Sequence, residues 1–300
     1  MRIFLTGATG FIGSAVIPEL LRAGHQVLGL TRSEAGARAL IAAGVEPHRG
    51  ALEDPDSLRG GAAAADGVIH TAFDHDDFSH FVANCEKDRR AIAALGAGLA
   101  GSDRPLLITS GVGIGSPGDG GPAREDVFDR AYPNPRVASE LAGAALSEAG
   151  LNVSVVRLPQ VHDTVKQGLV TYLVDLARRT GVSAYVGAGA NRWAAAPVRD
   201  VARLYALAFA RREAGARYHA VAEEGVPARA IAEAVGRGLD VPTAALAPEE
   251  AARHFGWLAA FAGVDMSASS ALTRARLDWH PAGPGLIADL ERMDYARPAG

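Results

Sequence analysis

One cysteine, Cys85, in 300 residues leaves no partner for an intrachain disulfide. That points to a reducing, cytoplasmic setting and to Cys85 as a small packing residue. Basic runs are missing too: 30 Lys and Arg stand against 34 Asp and Glu, a net charge of -4, with no cluster to mark a nucleic-acid surface. No apolar run reaches the roughly 20 residues that cross a bilayer. The chain opens on strand-like residues without a basic lead or a small-residue cleavage site, so neither a membrane span nor a signal peptide is expected. Internal repeats are absent, and the Ala-rich patches are helix material. What remains, 48% apolar and 21% charged, describes a globular protein long enough for one large domain, or one domain with a smaller lobe.

Hydrophobic periodicity sets the architecture. Ile3 to Leu5 reads as a strand, and residues 11 to 23 as a helix with Ile12, Val16, Ile17, Leu20 and Leu21 on one face, closed by Gly24. Pro18, lacking a backbone donor, is expected to weaken or kink that helix near Ser14. Strands follow at 27–30, 68–71, 106–109 and 153–158, separated by helices at 34–43, 78–100 and 135–149. Apolar strands alternating with helices predict a parallel sheet buried on both faces, the α/β doubly wound class of the Rossmann type. After Pro159 the rhythm breaks. Residues 165–180, 199–213 and 227–237 read as helices, with a short strand at 218–221 and helical pieces after Pro248. The expected division is a dinucleotide-binding domain over 1–160, completed by about 191–215, and a smaller, mainly helical substrate lobe from 161–190 and 216–300.

The strongest signal is "IFLTGATGFIGSAVIPELL". Gly7, Gly10 and Gly13 follow a strand and open a helix. The first permits a tight turn, the second lets backbone approach a diphosphate, and the third lets helix pack on strand. The amides and dipole of the helix start then face the phosphates.

"TGATGFIG" has the TGxxGxxG spacing of the extended short-chain dehydrogenase/reductase superfamily, which includes nucleotide-sugar epimerases and dihydroflavonol reductases. "RGALEDPDSL" resembles its adenine-touching segment, with Ala51 where aspartate is usual. "VIHTAF" resembles the fourth strand, "LLITSGVGIG" the strand ending at the active-site serine, "VVRLPQVHD" the segment beside the nicotinamide, and "APVRDVARLYALA" a later helix start. The chain is most similar to atypical members with an intact glycine turn and altered catalytic residues. The resemblance implies cofactor contacts from Gly7, Thr9, Gly10, Phe11, Ile12 and Gly13 in the turn, and from Leu52, Thr71, Ala72, Phe73 and Pro159 further on.

The family's chemistry uses a serine or threonine to hold the substrate oxygen, a tyrosine to move a proton, and a lysine to hold ribose and lower the tyrosine's pKa. In "YPNPRVASE" Tyr132 stands four residues before Arg136. Arginine supplies a permanent cation and can bond ribose hydroxyls, but does not readily give up a proton. Glu140, one turn on, can pair with Arg136. Asn134 as a cap and Pro135 at the first helical position place Tyr132 ahead of the helix, so a loop tyrosine remains the alternative. Ser110 takes the hydroxyl role if "GVGIG" is aligned on its last glycine; an ungapped alignment puts Gly111 there. His162 is a second candidate proton donor, with a polar packing residue as the alternative. Arg192 and Trp193 are read in a loop facing the cleft, or as cover for the lobe junction.

"FDHDDFSH" invites a metal through His75, Asp76, Asp77 and His80. The spacing matches no tight zinc pattern, and Asp76 or Asp77 capping the next helix is the simpler account, so no metal is expected. "GAGAN" at 187–191 opens no helix and is not a second dinucleotide site. Three functions stay open: an NADP(H)-dependent oxidoreductase reducing a small carbonyl compound, a sugar-nucleotide epimerase or dehydratase, and a non-catalytic NADP(H) sensor. The expected partner is a small molecule, with no nucleic acid and no membrane, and the chain acting as monomer or homodimer.

The second strand ends "VLGLTRS". An NAD-preferring turn places a carboxylate there to accept from the ribose 2′-hydroxyl. Thr31, Arg32 and Ser33 offer none, and Arg32 can pair with a 2′-phosphate while Ser33 bonds beside it. NADP(H) is therefore predicted to bind more tightly than NAD(H), and Arg32→Glu to weaken that preference; titration of both cofactors against both proteins checks it, and equal affinities in the unmutated protein refute it.

Overall fold

The computed structural model describes residues 1–75 and 80–296. Seven parallel strands form its main sheet: β1 (Arg2–Thr6), β2 (Gln26–Thr31), β3 (Glu46–Arg49), β4 (Gly67–His70), β5 (Leu106–Gly111), β6 (Val153–Leu158) and, later in the chain, Arg217–His219. They lie in the order β3-β2-β1-β4-β5-β6, with Arg217–His219 beside β6. Helices α1 (Phe11–Arg22), α2 (Glu34–Ala42), α3 (Pro55–Ala63), α4 (Phe81–Leu99) and α5 (Val137–Glu148) connect them. This is the doubly wound α/β fold. The central strands are buried over almost their whole length because helices cover both faces. On one face Val16, Ile17 and Leu20 of α1 pack with Val201, Leu204, Tyr205 and Phe209 of a later helix. On the other, Leu58 of α3 and Ala91, Ile92 and Leu95 of α4 cover Phe4, Val68 and Ile108.

Local chemistry explains the elements that periodicity does not reveal. β3 reads Glu-Pro-His-Arg and sits at the sheet edge, where a proline costs no ladder bond. Asp54 caps α3 by accepting from the Asp56 and Ser57 amides at 3.1 Å, and Pro55 takes the first position. α1 passes through Pro18 as one helix. Ser14 and Pro18 both lie on its exposed face, so the carbonyl that Pro18 leaves unbonded turns to water.

The second half adds α7 (Val198–Arg211), which packs on α1, and β10 (the Arg217–His219 strand) to the large sheet, and builds a smaller layer beside it from β7 (Gln160–His162), α6 (Leu169–Thr180), β8 (Ser183–Val186), β9 (Arg192–Pro197), β11 (Glu223–Pro227), α8 (Ala228–Leu239), β12 (Thr243–Leu246), α9 (Pro248–Phe255), α10 (Ala259–Ala262), α11 (Ala271–Leu277) and α12 (Leu286–Glu291). β11-β9-β7 and β12-β8 form two small sheets. Trp193 on β9, Ile231 and Val235 on α8, and Leu286 and Leu290 on α12 make its core.

Two expected boundaries move. Residues 192–197 belong to the small sheet rather than completing the large one, and β10, expected in the substrate lobe, closes the edge of the large sheet. Strands of this length carry no sequence mark of the sheet they join; pairing with β6 decides it. Arg192 and Trp193 are strand residues, not a cleft loop. Trp193 is buried and donates to the Val264 carbonyl at 3.2 Å, while Arg192 pairs with Asp265 at the surface.

α5 is joined to β6 and β10 by a buried ion cluster. Glu140 takes Arg157 Nε at 2.6 Å, Arg157 Nη2 at 2.9 Å and Arg217 Nε at 3.0 Å, with Arg157 and Glu140 shielded from water. Glu140 therefore does not pair with Arg136 as the one-turn spacing suggests; its side chain lies on the sheet side of α5, where two arginines compete for it. His219 Nε2 accepts from Arg157 Nη1 at 3.3 Å and Nδ1 donates to the Ser269 carbonyl at 2.8 Å. Burial and Arg157 keep this ring neutral, with its pKa lowered to about 3. Glu140→Gln strips the carboxylate from a buried arginine pair and is expected to destabilise the fold by about 3–5 kcal/mol; denaturant unfolding against the unmutated protein measures it.

Candidate active site

A cleft of about 770 Å³ opens at the carboxyl ends of β1, β2, β4 and β5, where strand order reverses between β1 and β4. Doubly wound sheets bind their ligands at this switch point. β1 ends in Gly7 at φ +68°, where a Cβ would stand 2.7 Å from the Ala72 amide nitrogen. A Cβ on Gly13 would stand 2.1 Å from the Gly7 carbonyl oxygen. Backbone thus meets backbone across the turn, and the start of α1 is drawn down over it. Gly10 caps α1 without a side chain and the first turn carries no acid, so the helix presents its positive end to the cleft. A glycine cradle and a bare helix start are the donor set a dinucleotide diphosphate requires.

The turn residues Gly7, Thr9, Gly10, Phe11, Ile12 and Gly13 line the cleft, as do Arg32 and Leu52 at one side and Thr71, Ala72 and Phe73 at another, with Arg136 and Pro159 beyond. Ser33 does not. Its hydroxyl accepts from the Gly36 amide at 3.0 Å, capping α2. Arg32 is exposed at the end of β2, with no ion pair among the described residues. Glu53 nearby is committed to Lys87 at 2.6 Å.

Arg136 is held in place. Asp88 of α4, fully buried, lies 2.6 Å from Arg136 Nη1, accepts from the Ser139 hydroxyl at 2.5 Å and from His70 Nε2 at 2.9 Å. His70 Nδ1 shares a hydrogen bond with Thr6 at 2.7 Å. Arg136 Nη2 donates to the Thr109 carbonyl at 3.0 Å, and its guanidinium lies 4.1 Å from the centre of the Phe73 ring. Burial alone would push the Asp88 carboxyl up; Arg136, His70 and Ser139 outweigh it and hold the group well below the usual carboxylate range. Asp88, His70 and Thr109 were not foreseen from sequence. The usable signal was Asp88 itself, a carboxylate in the apolar stripe with Cys85, Ile92 and Leu95. Cys85 packs there as expected, its thiol pushed up to about 11 by burial.

Of the four residues expected to do chemistry, the structure brings Ser110 and Arg136 to the cleft. Ser110 is buried at the end of β5, and its hydroxyl has no partner among the described residues. Tyr132 is not part of the lining. α5 begins only at Val137, after a turn in which Asn134 Oδ1 accepts from the Arg136 amide at 2.9 Å, so Tyr132 precedes the helix. Its hydroxyl sits over the 3-10 turn after β5, 2.8 Å from where a Cβ on Gly113 would be. Burial, then Asp129, raises its pKa. His162 is fully buried on β7, with Nδ1 2.7 Å from Asp289 of α12 and Nε2 lacking a partner among the described residues, and it too lies off the lining.

His75 lines the cleft and packs on Phe73 at 4.8 Å. Asp76 and Asp77, expected to cap α4, lie outside the described residues. Among the described residues no group of three or more His, Cys, Asp or Glu is placed to hold a metal, and no helix is long and apolar enough to cross a membrane.

Fold and cleft together define a dinucleotide-binding protein of the Rossmann type. The NAD(P)H-binding family model matches residues 7–187, more than half of the chain. The chain is 46% identical over 297 residues to the uncharacterized protein C2A9.02 of Schizosaccharomyces pombe, covering 98% of this chain and 100% of that one. It is 30% identical over 223 residues to 2-alkyl-3-oxoalkanoate reductase of Stenotrophomonas maltophilia, covering 70% and 65%. Among solved structures, the dTDP-glucose 4,6-dehydratase DesIV of Streptomyces venezuelae superposes with a TM-score of 0.77 at 19% identity, over 98% of this chain and 95% of that one. The chain belongs to the NAD(P)H-binding family, and it shares its fold with the dehydratase DesIV.

The closeness of Gly13 to Gly7 makes cofactor binding sensitive to one methyl group. Gly13→Ala is expected to weaken NAD(P)H binding by at least about tenfold, since a shift of the helix start by a few tenths of an ångström misplaces every amide there; cofactor fluorescence titration reads it.

Proposed function

We propose that this protein reduces a small carbonyl compound with NADPH. The observation that carries the reading is the Ser110 hydroxyl, buried, unpartnered among the described residues and lining the same cleft as the glycine turn. A buried hydroxyl without a protein partner costs free energy that an acceptor entering the cleft recovers. The exposed Arg32 supports the phosphorylated cofactor, since the end of β2 offers a cation and no carboxylate. The relative named as an oxoalkanoate reductase is consistent with this chemistry. The small layer from β7 onward serves in this reading as the substrate side.

Gly7 to Gly13 would hold the diphosphate, Arg32 the 2′-phosphate, and Arg136 with Pro159 the nicotinamide half. Bound there, reduced cofactor supplies the hydride. Ser110 donates to the carbonyl oxygen and stabilises the charge that grows on it. Arg136, paired with Asp88, would orient the nicotinamide half and keeps its proton, so the proton that completes the alcohol would come from water entering the open cleft. Tyr132, over the Gly113 turn, and His162, committed to Asp289, stand aside from this cleft.

NADPH oxidation with a panel of aldehydes and ketones tests the reading. Ser110→Ala is expected to lower turnover by about two to three orders of magnitude, and Tyr132→Phe to leave it nearly unchanged. Turnover without net cofactor consumption would favour the epimerase alternative, and tight cofactor binding with no turnover the sensor. A large loss in Tyr132→Phe would return the tyrosine to the mechanism.

A further inference from the structure

The charged residues of the cleft do not balance at its far end. Glu53 and Asp74 each lie 2.6 Å from Lys87 Nζ, and Asp175 lies 2.7 Å from Arg178. Arg136 is neutralised by Asp88. Two lining cations have no ion pair among the described residues: Arg32 on the side of β2, and Lys166 in the turn between β7 and α6. The chain has only two lysines, and Lys166 is the one without an ion pair among the described residues.

Other donors line the same cleft as Lys166. Gln160 is 8% exposed and lines the cleft. Its Oε1 accepts from the Leu169 amide at 2.8 Å, and an amide N–H can only donate, so the orientation of the side-chain amide is set. The Gln160 NH2 group makes no hydrogen bond to the described residues, and the Ser110 hydroxyl is buried without a partner among them. β5 and β6 pair Gly111 with Leu158, which brings the Ser110 end of β5 beside the segment that leads to Gln160. α6 begins at Leu169 with no acid in its first turn. Its first amides are already used, by Gln160, Gln167 and Gly168, so it contributes the positive end of its dipole rather than free donors. Acids on this side are paired, whereas a hydroxyl, an amide NH2 and an ammonium remain.

From this we infer that the substrate is an oxo acid, with Lys166, Gln160 and the start of α6 holding its carboxylate and Ser110 its carbonyl oxygen. The inference rests on the reductase reading and narrows its substrate class. One donor facing the cleft would suit any carbonyl; a separate cation with an oriented amide requires a second, anionic acceptor in the same molecule. Lys166 is exposed, so substrate closes over it from the open side of the cleft, and its contribution falls with added salt.

The test pairs 2-oxobutanoate and 4-oxopentanoate with their methyl esters, against the unmutated protein, Lys166→Met and Lys166→Arg. Two readouts run in parallel: calorimetric binding to the NADP⁺-loaded protein, which does not turn over, and kcat/KM with NADPH. At least one acid is expected to bind about tenfold or more tightly than its ester. Lys166→Met collapses that ratio with NADP⁺ affinity unchanged, and Lys166→Arg restores most of it. Equal binding of acid and ester, no binding of either, or a ratio that survives Lys166→Met overturns the inference. Ester reduction without an acid preference leaves the reductase reading standing alone. Lys166-dependent acid binding without turnover of any carbonyl keeps the anion site and removes the reductase.

Discussion

Asp88 is the charge around which the cleft is organised. A carboxylate taken fully out of water is stable only when paired and hydrogen-bonded, and Asp88 meets that demand with His70 from β4 and with Ser139 and Arg136 from the start of α5. The partners come from two elements at the edge of the switch point, β4 and the start of α5. Satisfying one buried charge therefore fixes where β4, α4 and α5 stand relative to each other. It also explains why Arg136 lies over the Phe73 ring rather than reaching toward Tyr132.

A second buried carboxylate does the same work on the neighbouring side. Glu140 lies one turn after Arg136 but faces the sheet, where Arg157 and Arg217 bring β6 and β10 to it. The first turns of α5 thus carry two ion clusters on different faces, one toward the glycine-turn half and one toward the late strand that closes the sheet. With both faces committed, the segment before α5 is free to depart from helical geometry. The two prolines around Asn134 make it do so, and Tyr132 is carried over the Gly113 turn instead of into the cleft.

The chemistry of the cleft follows from what these clusters leave over. Its acids are engaged: Glu53 and Asp74 share Lys87, and Asp175 pairs with Arg178. Its free groups are donors: the amides at the start of α1, Arg32, Ser110, Gln160 and Lys166. A cleft of that character attracts phosphates and carbonyl or carboxylate oxygens, and it disfavours cationic ligands. Both halves of the proposed reaction, a dinucleotide and an oxo acid, are acceptor-rich molecules of this kind.

The sequence by itself determined the doubly wound sheet, the glycine turn and the segments that border the cleft. These are set by local rules: period-2 and period-3.6 patterning, and a glycine wherever a Cβ cannot fit. β3 escaped because a polar Glu-Pro-His-Arg strand at an edge has no apolar signature. The sheet that β9 and β10 would join was decided by pairing across distant segments, which no local pattern encodes. Tertiary structure alone decided the partners of the charges. Glu140 turned from Arg136 to Arg157, Arg136 found Asp88 forty-eight residues upstream, and His162 closed on Asp289. Spacing along one helix offers neighbours worth a few tenths of a kcal/mol, whereas a buried charge without a partner costs several, so the long-range pairs prevailed.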